Sequence, residues 1–107
     1  MMAYTKVNYE DVDPVAESMH FLRDALDCET VGVTVLECEP GWSGKAHDHA
    51  EENHEEVYLL VDGEATVTIE GQDVAMESGD AVRVAPEATR EIHNGDAESK
   101  FVLVGAP

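Results

Sequence analysis

The sequence predicts an all-β domain of the sandwich or barrel type. Short segments rich in valine and threonine recur along the chain, and turn signals separate them at intervals of roughly 8–12 residues. No segment shows a convincing long helical period. With 107 residues the chain can form one hydrophobic core but not two. We therefore expect a single domain over residues 1–107, and regularly spaced short strands within it are typical of a sandwich or barrel.

The first 30 residues are predicted to form an arm and an edge strand. Residues 1–13 are polar with scattered aromatic and β-branched side chains, which favours an extended arm. Residues 14–27 fit both a helical and a strand period, and a short strand near 19–22 is the favoured interpretation.

From residue 30 onward every apolar segment has the composition of a strand. The first, 30–38, ends at the turn sequence Glu39-Pro40-Gly41, and Asp62-Gly63 is a hairpin signal. The further predicted strands are 57–61, 65–70, 74–76, 81–84, 91–93 and 101–104. Residues 31–104 are thus predicted to form the barrel.

The net charge of −18 is the strongest compositional signal. The acidic residues are spread over the whole chain, so a general adaptation to a saline, halophile-like cytoplasm explains them better than one binding patch. Such a charge disfavours nucleic acid and anionic membranes as partners.

The location predicted from the sequence is cytoplasmic. There is no apolar run long enough to span a membrane, and the first residues lack the basic start and apolar segment of a secretory signal. The two cysteines, Cys28 and Cys38, do not form a disulfide framework and are predicted to be small buried thiols.

The candidate functional residues cluster in the segment 41–63. His47 and His49 alternate, so on an extended backbone their imidazoles share one face. Glu56 enters the next strand on the same face as Tyr58. Two histidines and a neighbouring carboxylate supply three ligands of a divalent metal site, and His54 is a further candidate ligand. A hydrated acidic loop with incidental histidines is the competing interpretation.

This segment resembles the first motif of the cupin superfamily, G(X)5HXH(X)3–4E(X)6G. Gly41, His47, His49, Glu56 and Gly63 reproduce its spacing, except that six residues separate His49 from Glu56. The second cupin motif is only partly matched: it begins at Gly79-Asp80 and ends at Asn94, and Ala85-Pro86-Glu87 stands where a proline and a glycine are usual. The resemblance implies a cupin-type jelly-roll β-barrel and a homodimer.

One departure from the second motif bears on the metal site. Arg90 stands where the resemblance implies a fourth ligand, a histidine. An arginine stays protonated and cannot bind a cation, so Arg90 is expected to pair with Glu56 or to hold a carboxylate or phosphate. His93 lies three residues on and faces the opposite way, so it could replace the missing ligand only if a bulge shifted the register.

Three interpretations of the pocket remain open. In the first, His47, His49 and Glu56 bind a divalent Zn, Fe, Mn or Ni ion, with His54 completing the set. In the second, the site is metal-free and Arg90 holds an anionic small molecule. In the third, the pocket has lost its function.

The resemblance implies a small polar metabolite as the ligand. An enzyme of this kind would be a metal-dependent dioxygenase, isomerase or decarboxylase, with Tyr58 or Arg90 positioning the substrate. A binding or sensing module without turnover is the alternative.

Overall fold

In the computed structural model, residues 3–107 are described, and they form eight strands in two antiparallel sheets. The strands are β1 (Met19–Phe21), β2 (Gly32–Cys38), β3 (Glu55–Asp62), β4 (Glu64–Ile69), β5 (Gln72–Glu77), β6 (Ala81–Val84), β7 (Arg90–Asn94) and β8 (Ser99–Ala106). The larger sheet has the strand order β1-β2-β8-β3-β6, and the smaller has the order β5-β4-β7.

The segment after β2 extends the smaller sheet without becoming a regular strand. Ser43 forms an isolated bridge with His93, and His47 forms another with Arg90. Between them, Gly44 N donates to Ile92 O at 2.9 Å. The segment therefore runs beside β7 and faces the larger sheet across the interior.

The core lies between the inner faces of the two sheets. Leu36, Leu60, Val67 and Phe101 are at most 1% exposed there. They come from strands of both sheets, in which alternate residues point inward. Burying these side chains is the main favourable contribution to folding.

The all-β prediction is confirmed, and every predicted strand is found within two residues of its expected ends. Half of the predicted strands were too short. Glu55 and Glu56, for instance, belong to β3 although neither favours a strand by composition. Pairing with β8 and β6 extends such ends, because ladder hydrogen bonds override weak local preference.

The extended arm was predicted incorrectly in one segment. Tyr9–Asp11 forms a 3₁₀ turn, which Asn8 caps by accepting a hydrogen bond from Glu10 N at 2.9 Å. Residues 1 and 2 of the predicted arm lie outside the described residues. The arm is held by the buried His20, whose Nδ1 lies 2.7 Å from Val12 O and whose Nε2 lies 3.2 Å from Glu37.

The cysteines occupy unlike environments. Cys38 is buried in the core and Cys28 is half-buried, and both are free thiols. Burial raises the pKa of the Cys38 thiol, so that it stays protonated. No helix among residues 3–107 is both long and apolar enough to cross a membrane.

The tight turn between β3 and β4 generates a prediction about stability. Gly63 has φ +97°, and a Cβ there would lie 2.8 Å from Glu98 O and from the Cβ of Ser99. We expect Gly63→Ala to lower the free energy of unfolding by about 1–3 kcal/mol, measured by urea denaturation.

Gly71→Ala is the matched control, because Gly71 also has a positive φ, +77°, but nothing lies within 4 Å of the added Cβ. Equal losses in the two variants would show that the close approach of Ser99 has no energetic role.

Candidate metal centre

Two histidines and one glutamate meet at one end of the barrel. Ligand atoms of His47, His49 and Glu56 all lie within 4.8 Å of one another. Glu56 lies on β3, two residues before the buried Tyr58, and so shares its inward face. The structure thus brings together the three residues that the sequence singles out as principal ligands.

Backbone hydrogen bonds hold the histidine segment in place. His47 N donates to Arg90 O at 3.0 Å, and Arg90 N donates to His47 O at 2.8 Å. His49 N donates to Pro86 O at 2.8 Å. The two imidazole rings stand edge to face, with centroids 5.0 Å apart. The histidines therefore converge because of these individual contacts rather than because of a regular strand.

The polar contacts of both imidazoles suit metal ligation. His47 Nδ1 lies 2.9 Å from Lys45 O, and a carbonyl can only accept, so Nδ1 carries the proton and Nε2 keeps a lone pair. His49 Nδ1 lies 3.4 Å from Glu52 Oε2, and its Nε2 lies 3.1 Å from Glu56 Oε1. A carbonyl or carboxylate on one ring nitrogen is the usual outer partner of a metal-binding histidine.

The Glu56 carboxylate is held by three neighbours that meet at one oxygen. Arg90 Nη1 donates to Oε1 at 2.9 Å and Tyr58 Oη donates to it at 3.2 Å, while His49 lies on the third side. These contacts fix the carboxylate and leave Oε2 as its less occupied oxygen. Glu56 is half-buried, so a cation bound there would remain accessible from the cavity.

Arg90 is fully buried, and all three of its guanidinium nitrogens donate hydrogen bonds. Besides Nη1 to Glu56, Nε donates to Ala88 O at 2.9 Å and Nη2 to Ala85 O at 2.6 Å. Of the two roles expected for this arginine, pairing with Glu56 is the one observed. The positive charge of Arg90 also compensates the negative charge of the Glu56 carboxylate, and this attraction reduces the free-energy cost of burying both groups.

Tyr58 lies beneath the carboxylate and is 2% exposed. Burial, and secondarily the adjacent negative charge of Glu56, raise the pKa of its hydroxyl far above the ordinary value. Tyr58 is therefore a permanent hydrogen-bond donor to Glu56.

The other two histidines considered from the sequence lie outside the ligand group. The ring centroid of His54 is 6.2 Å from that of His49. His93 faces away from Arg90, as strand alternation predicts, and contacts Ser43 Oγ at 3.1 Å and Glu91 at 3.5 Å. The β4–β7 register continues through it without a bulge.

The ligand group lines a cavity of about 620 Å³ between the two sheets. Its polar end is formed by His47, His49, Glu56, Tyr58 and Arg90. The remaining walls are mainly apolar. The volume falls in the range of small-molecule sites.

Sequence reasoning missed several residues around this site. Gly105 lies beside Glu56, where a Cβ would come within 3.2 Å of the glutamate Cγ. Trp42 and Ser18 line the cavity. No sequence signal could identify Gly105, because the pairing of β8 with β2 and β3 joins segments that are distant in the sequence.

The donor set fits a divalent transition metal. Two neutral imidazoles and one carboxylate are the ligands of catalytic zinc sites and of the three-residue set of non-haem iron oxygenases. With only three protein ligands, such a centre keeps coordination positions open for a substrate. Arg90 excludes the fourth protein ligand that the motif resemblance implied.

Comparisons with known proteins agree with this architecture. A family model described as a cupin domain matches residues 34–105. No curated protein matches the chain. Among solved structures, a cupin protein from Bacteroides fragilis has a TM-score of 0.85 at 25% identity, over 99% of this chain and 86% of that one. The predicted cupin-type jelly-roll barrel is confirmed.

Two further similar structures are of proteins for which an activity is named. A sugar phosphate isomerase of the cupin superfamily from Silicibacter pomeroyi has a TM-score of 0.73 at 25% identity, over 83% of this chain. This chain spans only 58% of that protein. A protein described as a predicted oxalate decarboxylase, from Thermotoga maritima, has a TM-score of 0.79 at 21% identity, over 95% of this chain and 98% of that one, which shows the fold alone.

The glycine beside Glu56 generates a prediction about metal affinity. In Gly105→Ala the new methyl would press on the Glu56 side chain, at 3.2 Å from Cγ and 3.3 Å from Oε2. We expect Zn²⁺ affinity, measured by isothermal titration calorimetry, to fall by about tenfold or more, the effect typical of disturbing a ligand's surroundings.

Gly32→Ala is the control, because Gly32 pairs with Gly105 across the sheet but its added Cβ would meet only Gly105 O, at 3.8 Å. If both variants bind Zn²⁺ like the parent protein, the position of Glu56 does not govern metal binding.

Proposed function

The chain belongs to the cupin-domain family, and from that premise we propose that it is a small metal-dependent cupin acting on a small molecule in the barrel cavity. His47, His49 and Glu56 hold a divalent ion, and the observation that carries the proposal is the convergence of their ligand atoms within 4.8 Å. Zn, Fe, Mn and Ni all suit these ligands.

Among the activities implied by the motif resemblance, the donor set favours a dioxygenase. Two histidines and one carboxylate with open positions are typical of non-haem iron oxygenases. A metal held this way would polarise a substrate oxygen or bind dioxygen. An isomerase would use the same ligands, and a cupin isomerase is among the similar structures.

In this proposal the surrounding residues position the carboxylate rather than react. Arg90 and Tyr58 hold Glu56 through Oε1, and both donate hydrogen bonds to it. The alternative, in which a metal-free pocket binds an anion through Arg90, is less well supported, because every guanidinium nitrogen already donates to the protein.

We further propose a homodimer through the outer face of the larger sheet. Val57, Leu59, Val102 and Val104 lie side by side there in the β3–β8 register, and Val57 and Val104 are 38% and 36% exposed. These four side chains are uncharged in a chain of net charge −18, although Glu55 and Lys100 stand at the ends of the two rows and Arg83 lies beside Val57, so this patch is where we expect a second copy to approach. The cytoplasmic location and the saline habitat remain predictions from the sequence.

The metal proposal is tested by elemental analysis. Protein purified without a nickel column is expected to contain about one transition-metal ion per chain, because three suitably placed ligands bind tightly. The double variant His47→Ala and His49→Ala should lose it.

His93→Ala is the control, since His93 faces away from Arg90 on β7 and should leave the metal content unchanged. Metal-free parent protein that also takes up no Zn²⁺, Fe²⁺, Mn²⁺ or Ni²⁺ in calorimetry would contradict the proposal.

The dimer proposal predicts an unusual salt dependence. Because two chains of charge −18 repel each other, association should strengthen as salt rises from about 0.1 M to about 1 M, where the screening length falls to about 3 Å. Light scattering after size exclusion should report a dimer, and Val57→Asp should shift it toward monomer.

Thr66→Asp adds the same charge to the outer face of the smaller sheet and should leave the dimer intact, since Thr66 alternates with the buried Ala65 and Val67. A monomer at both salt concentrations would refute this interface.

A further inference from the structure

The wall of the cavity formed by the larger sheet is apolar over most of its area. In the β1–β2–β8–β3 register, Phe21 pairs with Thr34, Thr34 with Leu103, and Leu103 with Tyr58. The adjacent inward row contributes Met19 and Leu36, and both line the cavity. A surface that is apolar apart from the Thr34 hydroxyl thus leads from the edge strand β1 to the tyrosine beneath Glu56.

The opposite wall is formed by Trp42 and Ile92. The indole packs against Gly44, where an added Cβ would lie 3.1 Å from the ring, so the absent side chain makes room for it. Asn94 N donates to Trp42 O at 2.7 Å and fixes the backbone at this point. The cavity is therefore a slot with aromatic and aliphatic side chains on both faces and a polar, metal-binding end.

Few hydrogen-bonding groups are available in the slot away from the ligand group. Ser43 Oγ already contacts His93 at 3.1 Å. Ser18 is 4% exposed, and its Oγ has no hydrogen-bond partner within residues 3–107. Thr34 adds one more hydroxyl to the lining. A polyhydroxylated ligand would lose its bonds to water here and regain only some of them from the protein, which is costly.

The polar end favours an oxygen-bearing head group. Lys45 lines the cavity near His47 and brings a positive charge to this end. An anionic or oxygen-donor head would meet this cation and the open metal positions together. The rest of the ligand would lie between the apolar walls.

We propose that the cavity selects a small molecule with an oxygen-donor head, such as a 2-hydroxycarboxylate, and an aromatic or branched-aliphatic body, and that it discriminates against sugars and other polyhydroxylated compounds. The body is selected by Phe21, Leu36, Leu103, Trp42 and Ile92. The assignment of the head group rests on the proposed metal function, whereas the selection of the body rests on the walls alone.

Binding can be measured without any enzymatic activity, because Trp42 is the sole tryptophan of the chain and lines the cavity. Its fluorescence is titrated in Zn²⁺-loaded protein with mandelate and with gluconate. Both probes are 2-hydroxycarboxylates, but one has a phenyl body and the other a polyhydroxyl chain. We expect mandelate to bind at least about tenfold more tightly, the order expected for removing one phenyl ring from water.

Variants distinguish the contribution of the apolar walls to probe affinity from that of the metal site. Phe21→Ser and Leu103→Thr should each weaken mandelate binding several-fold and leave gluconate unchanged, whereas Val61→Ser, which removes a 42%-exposed valine outside the cavity lining, should change neither. The variant with His47→Ala and His49→Ala should lose affinity for both probes but keep the preference for mandelate.

The outcomes distinguish the two proposals. Zn²⁺ binding with gluconate bound as tightly as mandelate, or with no change in Trp42 emission for either probe, overturns the inference and leaves the metal function standing. A preference for mandelate in protein that binds no Zn²⁺ supports the apolar selection and refutes the metal function.

Discussion

The site depends on the ion pair between Glu56 and the fully buried Arg90. A buried guanidinium without a partner would cost several kcal/mol, and Glu56 is the acidic residue that pairs with it, at 2.9 Å. Arg90 also binds Ala85 O and Ala88 O, and it therefore fixes the same turn whose Pro86 O holds His49. One charge pair thus orients the Glu56 carboxylate and supports the backbone that holds His49, both of them candidate metal ligands.

This arrangement gives the two ends of the cavity different chemistry. At one end, charged groups are held in fixed positions by hydrogen bonds, so that a bound ion would meet preformed ligands. At the other end, Phe21, Leu103 and Trp42 offer apolar contact area but few hydrogen-bonding groups. The boundary lies at Tyr58, whose ring belongs to the core while its hydroxyl donates to Glu56. A cavity divided in this way suits a ligand that is itself divided into a polar head and an apolar body.

The strands and the candidate ligand group could be predicted from the sequence, because both depend on local patterns. β-Branched segments between turn signals identified seven of the eight strands, alternation alone indicated β1, and the spacing of His47, His49 and Glu56 picked out the group that the structure brings together. The strand ends were less predictable, since pairing extended β3 to include Glu55. The 3₁₀ turn at Tyr9–Asp11 was also missed, because three residues and one capping side chain carry too weak a periodic signal.

By itself, the sequence determined the all-β class, the candidate ligand group and the exclusion of Arg90 as a metal ligand, because composition, alternation and protonation act within a few residues. Only the tertiary structure decided what Arg90 does, which glycine makes room for Glu56 and which side chains form the walls of the cavity. Those facts depend on the register of β8 between β2 and β3 and on the contact of residues 43–47 with β7. Such pairings join distant segments, and they are set by the packing of the whole core rather than by any local pattern.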